Sequence, residues 1–174
     1  MVKCEDIISE LQDSNKVFCQ DYKDELPKHI KGQNPKVCVL TCSDSRVVPE
    51  FIFNKDIGEI FVVRVAGNVV LGPCIVSTLE YAVSHLNVEL LIILGHTNCG
   101  AVNATEESDD DAIELFCEIK KGFTCDKNPI VGNIKYQMNH LPGRSKIISD
   151  AICSGKLCLK GAMYNLENGK VDFI

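Results

Sequence analysis

The sequence contains no run of about 18 apolar residues, which excludes a membrane-spanning helix. It has no long basic run either, and with a formal net charge of −6 this argues against nucleic acid and anionic membrane as partners. The amino terminus carries acidic residues where a secretory signal would need an apolar core, so a cytoplasmic protein is expected. No internal repeat or low-complexity linker divides the 174 residues, which suits one domain with a sizeable core. No Gly-x-Gly-x-x-Gly follows a predicted strand, and this argues against a nicotinamide cofactor. Ten cysteines are present, yet none form a Cys-x-x-Cys pair, and several fall inside predicted strands or on helix faces. They read as reduced thiols acting as small buried hydrophobes rather than as a disulfide framework.

What is present centres on two short motifs. Cys42-Ser43-Asp44-Ser45-Arg46 follows the apolar run 37–41, and Gly95-His96-Thr97-Asn98-Cys99-Gly100 follows the apolar run 90–94. Both runs read as buried parallel strands. Two such strands would bring Cys42, His96 and Cys99 together at the carboxyl edge of one sheet, where open α/β folds place their sites. Two thiolates and an imidazole suit zinc, one ion per chain, and three protein ligands leave the fourth tetrahedral position free, as catalytic zinc requires. Asp44 and Arg46 lie two residues apart, within reach of that fourth position. A guanidinium fork keeps such a carboxylate ionised and aimed. Asp44 can then accept a hydrogen bond from a zinc-bound hydroxide, or in a closed state ligate the metal itself.

The rest of the chain reads as an α/β fold. Residues 4–24 form an amphipathic helix, interrupted around Asp13-Ser14-Asn15, that covers the core. A loop with Pro27, Gly32 and Pro35 leads into the first strand. Pro49–Asn54 is a short helix, residues 61–65 a strand, and Ala66-Gly67-Asn68 a turn at the same sheet edge. Residues 73–86 carry an apolar stripe at helical spacing and form a crossover helix. The acidic run 106–111 is a solvated turn and helix start. Helices are expected at about 111–121, 129–140 and 144–154, a strand over 157–165, and a hairpin at Asn168-Gly169 before Val171–Ile174. Gly100 would allow close approach of the backbone to the metal site, and its amide could contact a bound anion. His29, His85 and His140 show no partner in the sequence.

The residues Cys42-Ser-Asp-Ser-Arg46, Phe61-Val-Val-Arg-Val-Ala-Gly-Asn68, Leu79-Glu-Tyr-Ala-Val83 and Gly95-His-Thr-Asn-Cys-Gly100 resemble those of the β-class carbonic anhydrases. Gly32-Gln-Asn-Pro-Lys36 and Gly161-Ala-Met-Tyr164 extend the resemblance to roughly residues 5–174. It implies a three-layer α/β domain: a mostly parallel sheet of four or five strands, helices on its faces, and an amino-terminal helical arm lying across a partner subunit. The whole is then a single domain, with residues 1–34 as arm and loop and 35–174 as catalytic core. It implies reversible hydration of carbon dioxide to bicarbonate, by attack of zinc-bound hydroxide oriented by the Asp44–Arg46 pair. Gln33 would hold a substrate oxygen, Phe61 and Ala66 would line the pocket, and Tyr81 would join it across the interface of a homodimer or multiple of dimers. One subgroup of the family carries a tryptophan three residues before the first zinc cysteine and closes the zinc with the aspartate. Here that position is Val39, which favours an open site. The alternatives are hydrolysis of carbonyl sulfide or carbon disulfide on the same scaffold, and a non-catalytic zinc- or bicarbonate-binding module.

Overall fold

The structure is a computed structural model that describes residues 4–108 and 112–174. By its internal contacts the chain divides into two units, Met1–Gln33 and Asn34–Ile174. The first unit holds helix α1 (Cys4–Asp21) and a 3-10 turn at Leu26–His29. The expected interruption of α1 at Asp13-Ser14-Asn15 is absent. Lys16 pairs with Asp13 at 2.7 Å, and the Cys19 thiol donates to Asn15, so the polar residues are tied within the helix surface rather than breaking it. α1, expected to cover the core, has no buried residue. Its apolar side chains Ile7, Ile8, Leu11 and Val17 stand about half or more exposed.

The second unit is built on a five-stranded sheet in the order β2-β1-β3-β4-β5, with β1 Val37–Thr41, β2 Ile60–Arg64, β3 Leu90–His96, β4 Cys158–Tyr164 and β5 Val171–Phe173. The first four strands are parallel and β5 is antiparallel to β4. The central strands are continuous β-branched and aliphatic runs, as strands buried on both faces must be, and Cys38, Leu40, Leu91 and Ile93 are fully buried. Each such side chain contributes about 1.5–3 kcal/mol of burial. The Cys38 thiol is pushed up to about 12 by that burial, so it behaves as a small core hydrophobe.

The connecting helices are α2 (Pro49–Ile52), α3 (Gly72–Ser84), α4 (Gly100–Glu107), α5 (Glu114–Lys120), α6 (Pro129–Arg144) and α7 (Lys146–Cys153). Of the acidic run, residues 109–111 lie outside the described residues. The helix expected over 111–121 is α5, which continues as a 3-10 turn over Lys121–Thr124. Asn128 caps α6 by accepting from the N–H groups of Ile130 and Val131, and Pro129 takes the first helical position. The helix runs past its expected end at residue 140 and through Pro142, because Arg144 is anchored to the carbonyl of Val70 and to Glu118. Gly95 lets α6 press on β3: a Cβ there would lie 2.6 Å from Cδ1 of Ile134.

The chain leaves β1 for β2 on one side and then returns to β3 on the other. The switch point of the topology is therefore between β1 and β3, and the crevice outside their carboxyl ends is where such sheets bind ligands.

Candidate metal centre

Cys42 follows the last residue of β1, and His96 is the last residue of β3. Their strands are paired in register, Thr41 opposite Leu94, so the two side chains meet at the switch point. Asn98 then adopts a left-handed backbone conformation, φ 53°, which turns the chain back and brings in Cys99 at the start of α4. The Cys42, His96 and Cys99 side chains are buried, and their ligand atoms all lie within 4.8 Å of one another.

The two sulfurs are 3.9 Å apart, far beyond a disulfide bond. Two sulfurs each bonded to a tetrahedral zinc ion are separated by about 3.8 Å, so the spacing fits the ion. The imidazole fits it too. His96 Nδ1 lies 3.0 Å from the carbonyl oxygen of Thr97 and must be the protonated nitrogen, since a carbonyl can only accept. This leaves the lone pair on Nε2, which is buried and has no hydrogen-bond partner. An orphaned, inward acceptor between two thiols is what a metal cation would satisfy.

The thiols are electrostatically unequal. The Cys42 thiol is drawn down, first by the hydrogen bond from Cys99 and also by the N–H groups of Asp44 and Gly67, against the opposing effect of burial. The Gly67 N–H lies 3.3 Å from the Cys42 sulfur. Cys99 is pushed up, by that same bond to Cys42 and by burial, although the N–H groups of Ala101 and Val102 draw it down. Two thiolates side by side therefore need a dication between them.

Asp44 and Arg46 are paired next to this cluster. Arg46 Nε and Nη2 donate to the two carboxylate oxygens at 2.9 and 2.6 Å, and the Arg46 N–H donates to Oδ1 at 3.0 Å. The guanidinium holds the Asp44 carboxyl well below the usual carboxylate range. Asp44 Oδ2 is 3.8 Å from His96 Nε2, so the carboxylate faces the cluster without belonging to its ligand set.

The sequence reading gave no role to Arg64, at the end of β2. Its Nε donates to the carbonyl of Cys42 at 3.3 Å and its Nη2 to the carbonyl of Asp44 at 2.5 Å, which pins the Cys42–Asp44 turn. Ala66 adjoins Gly67 and so stands next to Cys42, while Gly100 opens α4 beside Cys99, where a Cβ would meet only open space. Phe61 is not at this edge. It pairs with Cys38 near the beginning of β2, four residues before Cys42, or about 13 Å along the strand. Its ring lies 6.2 Å from that of Tyr81 on α3, which is 45% exposed and stacks on His85. Gln33 is exposed at the end of the first unit.

A family model described as carbonic anhydrase matches residues 37–122. Carbonic anhydrase 2 of Mycobacterium tuberculosis is 32% identical over 154 residues, a match covering 80% of this chain and 74% of that protein. The β-carbonic anhydrase of Coccomyxa superposes with a TM-score of 0.80 at 23% identity, over 99% of this chain and 86% of that one. One of two tetrameric β-carbonic anhydrases from Sordaria macrospora gives 0.81 at 21% identity, over 100% and 98%. At such identities these two structures speak for the fold.

Proposed function

Since the chain belongs to the β-class carbonic anhydrase family, we propose that it catalyses the reversible hydration of carbon dioxide to bicarbonate and a proton, with one zinc held by Cys42, His96 and Cys99. The observation that carries this reading is the buried Cys2His cluster with the Arg46-held carboxylate of Asp44 at its edge. A zinc ion held by these three residues would lower the pKa of a bound water from about 15.7 to about 7 and so supply a nucleophile near neutral pH.

The protein's own groups do the remaining work. Asp44, kept ionised by Arg46, accepts the hydrogen of the attacking oxygen and so turns a lone pair toward the substrate carbon. Arg46 occupies both oxygens of Asp44 and keeps the carboxylate off the metal, which supports the open form. Ala66 and the Gly100 amide flank the space in which carbon dioxide and bicarbonate are held. Phe61 and Tyr81 lie together away from this chain's own cluster, and this supports their serving the site of a second copy, with Gln33 holding a substrate oxygen. The unburied apolar stripe of α1 supports a homodimer or multiple of dimers in which the arm lies on a partner. No described helix is long and apolar enough to cross a membrane, and we place the enzyme in the cytoplasm.

Parallel assays of carbon dioxide hydration and carbonyl sulfide hydrolysis on the zinc-loaded protein test the substrate. Fast hydration with carbonyl sulfide turnover at background is expected. The reverse ratio would assign the scaffold to sulfur substrates, and zinc binding with neither activity would make it a binding module.

A further inference from the structure

We propose that α6 clamps the turn supplying the Gly67 N–H to Cys42, with Asn133 as the positioning residue that holds this outer contact of the metal site in place. The observation is a continuous relay of hydrogen bonds among fully buried amides. Asn133 Nδ2 donates to the carbonyl of Gly67 at 2.7 Å, Gln137 Nε2 donates to Asn133 Oδ1 at 3.1 Å, and the Val70 N–H donates to Gln137 Oε1 at 2.9 Å. Asn133 and Gln137 are both 0% exposed. The orientation of both amides is forced, because the relay begins on a carbonyl and ends on an N–H, and each link must alternate donor and acceptor. Two turns further along α6, Arg144 donates to the carbonyl of Val70 and is itself held by buried Glu118 at 2.5 Å. Three side chains of one helix thus grip both ends of the segment 67–70.

That segment needs a grip. Gly67 and Asn68 have φ of 67° and 47°, two consecutive residues in the left-handed region, one of them not glycine. Within this turn the Gly67 N–H points at the Cys42 sulfur, 3.3 Å away. Asn133 is in turn fixed in position: α6 sits so close to the 3-10 turn at Lys121–Thr124 that a Cβ on Gly122 would lie 2.5 Å from the Asn133 Cα. An N–H donated to a metal-binding sulfur withdraws charge from it and sets its direction, and outer contacts of this kind alter metal affinity by about 10- to 100-fold.

The inference rests on Cys42 being a zinc ligand, and the test separates the two. Zinc-loaded wild type, Asn133→Asp and Gln137→Met are challenged with excess chelator well below each variant's melting temperature. Each is also loaded with cobalt to record its thiolate-to-metal charge-transfer band. Asn133→Asp replaces the donor facing the Gly67 carbonyl by an acceptor. It should release zinc about 10- to 100-fold faster and shift the band. Gln137→Met removes the next link and should do the same to a smaller degree; it carries the test if Asn133→Asp does not fold. Variants that melt lower yet release zinc at the wild-type rate with an unshifted band would show a purely structural network and overturn the clamp. Wild type that holds no zinc would overturn the ligand assignment, and the clamp with it.

Discussion

Arg46→Ala should lower carbon dioxide hydration by about 10²- to 10³-fold while zinc stays bound. Two of the three hydrogen bonds on the Asp44 carboxylate come from the Arg46 side chain, and only the backbone N–H would remain. With Oδ2 released 3.8 Å from His96 Nε2, the carboxylate is free to turn into the position that the attacking oxygen must occupy. Arg46→Lys should recover little, because an ammonium cannot make the two-pronged contact. Asp44→Asn separates blocking from aiming. It keeps zinc but cannot accept the hydrogen with the same charge, so it too should be slow. Metal content and kcat/KM on the same samples check this, and near wild-type turnover in Arg46→Ala would remove Arg46 from the mechanism.

The second large effect is expected from the ligands. His96→Ala removes one of three groups that together hold the ion. With structural zinc binding worth about 10–16 kcal/mol, a third of it is on the order of 3–5 kcal/mol, enough to leave the protein metal-free after dialysis against a chelator. The sheet should survive, since the pairing of β1 with β3 is made by backbone bonds over Val37–Thr41 and Leu90–Leu94 and does not pass through the imidazole. Unchanged far-ultraviolet circular dichroism with zinc near zero per chain is the expected pair of results. A variant that keeps a full complement of zinc would show that His96 is not a ligand.

Much of the candidate site could be read from the sequence because Cys42 and His96 sit at the ends of the two most continuous apolar runs. The run fixes the strand, the strand end fixes the sheet edge, and the spacing His96 to Cys99 allows a single left-handed residue to close the turn. The Asp44–Arg46 pair was legible for the same reason, being local in the chain. What escaped the reading is long-range and involves backbone. Arg64, Asn133, Gln137 and Arg144 bond main-chain atoms 20 to 74 residues away. Residue type alone does not reveal which carbonyl or N–H a side chain will meet. On α6 the apolar stripe Ile130, Ile134, Met138 and Leu141 is visible at helical spacing, whereas Asn133 and Gln137 lie outside it and carry no pattern that distinguishes a buried amide from a solvated one. The continuity of α1 and the passage of α6 through Pro142 failed as readings of local propensity, which ion pairs and tertiary anchors overrode. Phe61 stands at the other end of β2 from the metal edge, a separation that follows from register and not from its motif.

The central claim is an open zinc site on Cys42, His96 and Cys99 with Asp44 as the aiming group. It is tested most directly by stopped-flow carbon dioxide hydration between pH 6.5 and 9, with zinc per chain determined on the same sample. The account predicts one zinc per chain and a rate that rises through a pKa near about 7 and then levels. Full zinc loading with hydration absent until well above pH 8 would contradict it, because Asp44 would then be the fourth ligand at neutral pH.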